Sequence, residues 1–254
     1  MRLEILGCSG GIGGERRTTS LLIDGEVLID AGSGVGDLSL EQMVAVDAVF
    51  LTHSHLDHTA FLPLLADAAG NFRERSLAVY ALPETIAILK KNFFNGEIWP
   101  DYTVMPAADR PYILCKPLRL GETVAVRGGK ITALPAKHAV PALAYQFDSG
   151  AASFAFSGDT TFCEAFWQAV NTIFNLRYLM LEATFLNDNA AGAQRSGHHT
   201  AQLLAQGLRL LKRRPQILIT HIESGREAQT MQEVLQAAAE FRPVLLNRGQ
   251  VFEF

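Results

Sequence analysis

Seven residues, Thr52-His53-Ser54-His55-Leu56-Asp57-His58, constrain this chain more than any other stretch. Three imidazoles and a carboxylate fall between positions 53 and 58 of a chain that holds only seven histidines. They directly follow the apolar run Ala48-Val49-Phe50-Leu51, which reads as a short buried strand. Histidine is the commonest metal ligand, and a nearby aspartate adds the oxygen donor that zinc and manganese also accept. His53 and His55 can converge on one ion from the same side of an extended turn, while Asp57 and His58 leave in another direction. That arrangement suits two adjacent ions.

The chain has 254 residues, 48% of them hydrophobic, enough for one large core and for a single domain spanning residues 1–254. A formal net charge of −4 leaves no electrostatic footprint for long nucleic acid, which needs clustered Lys and Arg. Small anionic ligands stay open, because a metal centre supplies local positive charge. Cys8, Cys115 and Cys163 are odd in number and form no Cys-x-x-Cys pair, as expected of thiols in a reducing compartment. The start lacks the apolar run of a signal peptide, and no stretch reaches the ~18 apolar residues of a membrane span. A cytoplasmic protein without membrane contact is expected.

Along the chain, Leu3 to Leu6 reads as a strand ending in the glycine-rich Gly7 to Gly14. A dinucleotide-binding reading fails there, because Ser20-Leu21-Leu22-Ile23 starts another strand where a helix would be required. The Asp24-Gly25 turn then leads into Glu26-Val27-Leu28-Ile29. Helices are expected over Leu38–Val44, Phe61–Ala69, Pro83 to about Phe94, Phe162–Asn171, Thr200–Leu211 and Glu227–Ala239. Ile113 to Phe156 reads as a β-meander, and Leu77–Ala81, Tyr178–Leu181, Ile217–Thr220 and Val244–Phe254 read as strands. The aromatic segment Phe93 to Tyr102 is expected to pack over the core, with a lid that stacks on a planar base as the functional alternative. Strands first, then alternating units, fit two sheets sandwiched between helices.

His53, His55, His58, His138 and His221, together with Asp159, all sit at or just after the ends of expected strands, where loops hold functional groups over a rigid scaffold. These five histidines and two aspartates, Asp159 and Asp57, are explained economically by two metals with shared ligands. The order His53-x-His55-x-Asp57-His58, His138, Asp159, His221 resembles the metallo-β-lactamase superfamily over essentially the whole chain. Leu6 to Gly13, Ser157-Gly158-Asp159-Thr160, Glu182-Ala183-Thr184-Phe185, Gly197-His198-His199-Thr200 and Ile219-Thr220-His221-Ile222 are similar to the bacterial class II type 3′,5′-cyclic nucleotide phosphodiesterases.

The resemblance implies an α/β fold, a four-layer αββα sandwich with a dimetal site at one edge of its sheets. It assigns His53, His55 and His138 to one divalent ion, Asp57, His58 and His221 to the other, and Asp159 to both. Zinc is the first expectation for the two ions, with manganese or iron as alternatives. The implied chemistry is phosphodiester hydrolysis of cyclic AMP or cyclic GMP by a hydroxide shared between the ions. His198 is the implied general acid, Glu182 its orienting carboxylate, and Asp57 belongs to both the metal and the catalytic set. The substrate is a small anionic phosphodiester chosen by loops such as Phe93–Tyr102 and Arg16–Thr19, and a homodimer is compatible with the superfamily.

Glu182-Ala183-Thr184 and Thr200-Ala201 depart from the phosphodiesterase pattern and also resemble the tRNA 3′-processing endonucleases. Those carry a basic arm that is not visible here, and Lys212-Arg213-Arg214 is the only basic cluster. Asp159 stands where true β-lactamases place cysteine. Glyoxalase II-type thioesterases add a C-terminal helical domain, and flavodiiron enzymes place Glu at the His55 position. A non-enzymatic metal-binding scaffold would be expected to have lost one of these groups.

Overall fold

The computed structural model describes residues 1–254. The first sheet contains β1 (Arg2–Gly7), β2 (Ser20–Ile23), β3 (Val27–Ile29), β4 (Ala48–Phe50) and β5 (Leu77–Ala81). After a small hairpin of β6 (Pro106–Ala107) and β7 (Arg110–Pro111), β8 (Ile113–Pro117) completes that edge. The second sheet takes β9 (Thr123–Val126), β10 (Gly129–Pro135), β11 (Leu143–Asp148), β12 (Ser153–Phe156), β13 (Leu176–Glu182), β14 (Gln216–Thr220) and β15 (Val244–Leu245), while β16 (Val251–Glu253) returns to pair with β1.

Alternation along each strand assigns the layers, because successive side chains leave opposite faces. In β4, Phe50 enters the core between the sheets, whereas Val49 faces the outer core beside Leu51. In β13, Met180 points inward and Leu179 and Leu181 outward. The outer face of the first sheet is covered by α1 (Leu40–Ala45), α3 (Leu62–Gly70) and α4 (Pro83–Asn92), through residues such as Leu62, Leu65, Ile86 and Leu89. The outer face of the second carries α5 (Glu164–Val170), α7 (Ala201–Leu208) and α8 (Glu227–Ala238), through Phe166, Trp167, Leu204 and Val234. Three apolar cores between four layers make the αββα sandwich.

Two expected elements resolve differently. Ile113–Pro117 is not part of the meander but pairs in parallel with β5, Leu77 opposite Ile113. The continuous strand expected over Val244–Phe254 is split between the two sheets, and Gly249 at φ 81° turns the chain across the gap. Leu246 and Phe254 both bury into the inter-sheet core, one from each sheet. The structure also holds a short helix that the sequence reading does not contain, α6 (Ala190–Ser196), which starts at Asn189 without a side-chain cap. Phe94 and Tyr102 are buried in the outer core of the first sheet with Trp99 packed against it, so the aromatic segment is a loop over the core.

Candidate dimetal centre

Strand direction brings the site together. β10 and β12 both run antiparallel to β11, and β12, β13 and β14 run parallel, so their C-terminal ends share one edge. Ligand sites in α/β sheets form at such ends. His138 follows β10, Asp159 follows β12, Glu182 closes β13 and His221 follows β14. From the first sheet, the turn after β4 carries His53 and His55, and the one-turn helix α2 (Leu56–Thr59) turns Asp57 and His58 into the same space.

All seven expected ligands converge, in two groups that share Asp159: His53, His55 and His138 with Asp159, and Asp57, His58 and His221 with Asp159. Within each group the ligand atoms lie within 4.8 Å of one another. Asp159 Oδ2 stands 3.3 Å from the Nε2 atoms of both His58 and His221, 3.7 Å from His53 Nε2 and 4.0 Å from His138 Nε2. His138 Nε2 faces His55 Nδ1 at 3.1 Å, and His221 Nε2 lies 3.1 Å from Asp57 Oδ2. Two buried atoms of this set, His53 Nε2 and Asp159 Oδ1, have no hydrogen-bond partner. Buried polar atoms are almost always paired, so an orphaned imidazole nitrogen and an orphaned carboxylate oxygen within one donor cluster fit a cation.

The other ring nitrogens are already committed. Tautomers inferred from these partners have His58 Nδ1–H donating to Asp30 at 2.7 Å, His53 Nδ1–H to Thr52 Oγ1 at 3.0 Å, His138 Nδ1–H to the Gly197 carbonyl at 3.0 Å and His221 Nδ1–H to Thr184 Oγ1 at 3.1 Å. Each bond aims the free Nε2 lone pair at the cluster, the usual arrangement behind metal-binding imidazoles. Asp30 also accepts the Thr52 backbone N–H at 2.7 Å, which ties β3 to the histidine turn. The sequence does not single out Asp30; its position at a strand end before Gly32 is the available signal. Gly197 must be glycine, because its φ is 74° and a Cβ would lie 2.8 Å from the Ala139 backbone nitrogen. The glycine-rich loop after β1 does border the site, with Cys8 O accepting from His221 N at 2.8 Å and Gly10 N donating to Ile222 O at 3.0 Å.

Burial holds the pKa values of His53, His55 and His138 below the ordinary imidazole value, which keeps them neutral and ready to ligate. For His58 and His221 burial acts the same way but is outweighed by Asp159, joined by Asp30 at His58 and Asp57 at His221, so both are raised. Burial would raise Asp57, yet its hydrogen bond to His221 and the neighbouring imidazoles bring it down to about 2.

Beside the cluster stands a second unit. His198 Nδ1 lies 2.9 Å from Glu182 Oε1, and its ring sits 4.8 Å from that of His138 and 5.5 Å from that of His221. Glu182 is fully buried and also accepts from the backbone N–H groups of Thr160, Thr184 and His199 and from the Thr184 hydroxyl. Burial opposes ionisation of Glu182, but the hydrogen bond and charge of His198 keep its pKa low. Burial likewise lowers His198, and the Glu182 hydrogen bond and charge overcome it, so His198 is raised. His199 points elsewhere: it is fully buried and neither ring nitrogen has a partner. Thr184, not anticipated, joins both units, its hydroxyl donating to Glu182 Oε2 at 2.9 Å while accepting from His221.

Among curated proteins, the chain is similar to a ribonuclease Z of Methanopyrus kandleri, 27% identical over 58% of this chain and 50% of that protein. It is also similar to a probable 3′,5′-cyclic-nucleotide phosphodiesterase of Yersinia pestis, 30% identical over 23% of this chain and 16% of that protein. The chain thus spans half the length, or less, of these relatives. Among solved structures, unliganded yeast PDE1 superposes with a TM-score of 0.80 at 18% identity, over 98% of both chains. The beta-lactamase superfamily domain matches residues 26–222. The chain belongs to that superfamily, and its two-sheet architecture is the metallo-β-lactamase fold.

Proposed function

We propose that this protein is a dimetal phosphodiesterase that opens a 3′,5′-cyclic nucleotide, cyclic AMP or cyclic GMP, to the 5′-nucleotide. The observation that carries the reading is the split donor set sharing Asp159 with the Glu182-bound His198 at its side. His53, His55, His138 and Asp159 would hold one divalent ion, and Asp57, His58, His221 and Asp159 the other. Imidazole and carboxylate donors suit zinc first, and manganese or iron as well. When bound, two such ions activate water at neutral pH and neutralise phosphoryl charge.

His198 is the proposed general acid. Its Nδ1–H is held by Glu182, which leaves Nε2 to carry the proton to the departing ribose oxygen. The raised pKa favours the protonated form that a general acid needs. Asp57, low in pKa, stays ionised as a ligand and holds His221. The substrate class is a small anionic phosphodiester. No helix is long and apolar enough to cross a membrane, and free thiols at Cys8, Cys115 and Cys163 support a cytoplasmic setting.

A tRNA 3′-processing endonuclease is the second reading, favoured by the longer match to the Methanopyrus ribonuclease Z and by Thr184 beside Glu182. Against it, Lys212, Arg213 and Arg214 precede β14 while His221 follows it. A five-residue strand separates them by roughly 17 Å. Hydrolysis of cyclic AMP, a 3′-extended tRNA precursor and bis-p-nitrophenyl phosphate by zinc- and manganese-loaded protein separates the readings. Cyclic AMP turnover far above the generic diester is expected; cleavage of the tRNA precursor alone would move the protein to the endonuclease branch.

A further inference from the structure

Phe185, a few positions past the buried Glu182, is half-buried yet belongs to none of the three apolar cores. Its ring packs instead against the imidazole of His198, the centroids 5.6 Å apart and the planes at 78°. That is an edge-to-face contact within the favoured range of about 4.5–7 Å. The backbone enforces it: Phe185 N–H donates to the His199 carbonyl at 3.2 Å, and Phe185 pairs in parallel with Thr200. Three rings surround that of His198, and two of them belong to the donor clusters, His138 at 4.8 Å and His221 at 5.5 Å. Phe185 is the neighbour outside the metal set. The polar contacts of His198 all meet one atom, Nδ1, which lies 2.9 Å from Glu182 Oε1 and 3.1 Å from Thr184 Oγ1. Bonds at that atom fix the near end of the ring and leave the far Nε2 able to swing about it. Packing against the ring limits the swing.

We infer that Phe185 is a positioning residue for the general acid, its ring closing the side of His198 that the metal-site imidazoles leave open and so holding Nε2 on the departing oxygen. The inference rests on the proposed phosphodiesterase reading, in which His198 supplies the proton. Phe185 transfers nothing itself. A displaced acid works poorly, since a misplacement of about 1 Å can cost roughly 10²-fold in rate. The loss should follow the leaving group. A ribose alkoxide departs slowly unless it is protonated, whereas p-nitrophenolate departs readily as the anion, so the first reaction leans on His198 far more than the second.

The test is kcat and KM of the metal-loaded full chain and its Phe185→Ala, Phe185→Tyr and His198→Ala variants, with metal content measured on the same samples. The substrates are cyclic AMP and bis-p-nitrophenyl phosphate; diphenyl phosphate, with its poorer phenolate leaving group, replaces cyclic AMP if the wild type does not turn that over. Phe185→Ala is expected to lose roughly 10- to 100-fold in kcat on the diester with the poorer leaving group, a loss at least about fivefold larger than on bis-p-nitrophenyl phosphate. Its metal content and KM should hold, and Phe185→Tyr, which keeps the ring, should recover most of the lost kcat. His198→Ala should show the same selectivity more strongly. A raised KM with kcat intact would make Phe185 a substrate contact, and equal losses on both diesters would make its role merely structural; either result overturns the inference while His198 keeps its assignment. Equal losses in His198→Ala would overturn the acid assignment and the inference with it.

Discussion

Two buried carboxylates on neighbouring strands meet opposite fates. Glu182, at the end of β13, accepts from Thr160, Thr184, His198 and His199, and nothing about it is left open. Asp159, after β12 and 1% exposed, leaves Oδ1 without any partner and sets Oδ2 among four imidazoles. A buried charge is tolerated only when it is paired. The pairing of Glu182 is complete within the protein, as a fixed orienting group requires, whereas that of Asp159 would be completed by an ion. On the proposed function one carboxylate serves catalysis and the other assembly, and changes to each should separate metal content from turnover.

The largest effect is expected from Asp159→Ala, which removes the donor common to both ligand groups. Metal analysis of the purified variant should show neither ion held stoichiometrically, with diester hydrolysis at background. His198→Ala should keep its metal and lose turnover by roughly 10²- to 10⁴-fold, the scale of a removed general acid. Equal metal loss in both variants would defeat the division of labour.

Asp30→Asn comes next. It replaces the acceptor for His58 Nδ1–H, and loss of such a supporting bond costs roughly 10- to 100-fold in metal affinity, readable by competition with a chelator. The finest test is Glu182→Gln. His198 is protonated below its raised pKa, so wild-type activity should fall as pH rises through that value. Without the carboxylate the support is gone, and burial alone lowers His198. The alkaline limb of kcat should then move to lower pH while metal content holds; a limb that stays in place would mean that another group supplies the proton.

How much of this was legible depends on the length scale of each feature. The His53 to His58 cluster is local, and the expected α/β layering followed from periodicity, so both could be read directly. Asp30 and Thr184 were missed as supporting groups because their partners lie 28 and 37 positions away in the chain. Ile113–Pro117 has the composition of a meander strand, yet it completes the first sheet, since β-strand composition says nothing of which edge a strand joins. The Val244–Phe254 stretch was read as continuous although Asn247 to Gly249 carries turn chemistry. The aromatic segment from Phe93 to Tyr102 was expected over the core, where Phe94 and Tyr102 indeed lie.

By itself, then, the order of residues determined the element types, the layered class and the identities of the converging donors, because apolar period and ligand-bearing strand ends are written in short windows. Only the tertiary structure decided which donors group together, which ring nitrogen of each histidine is left free, and that Glu182 is saturated while Asp159 is not. Those properties depend on distances between strands of two sheets, and such distances are set by packing across the shared core.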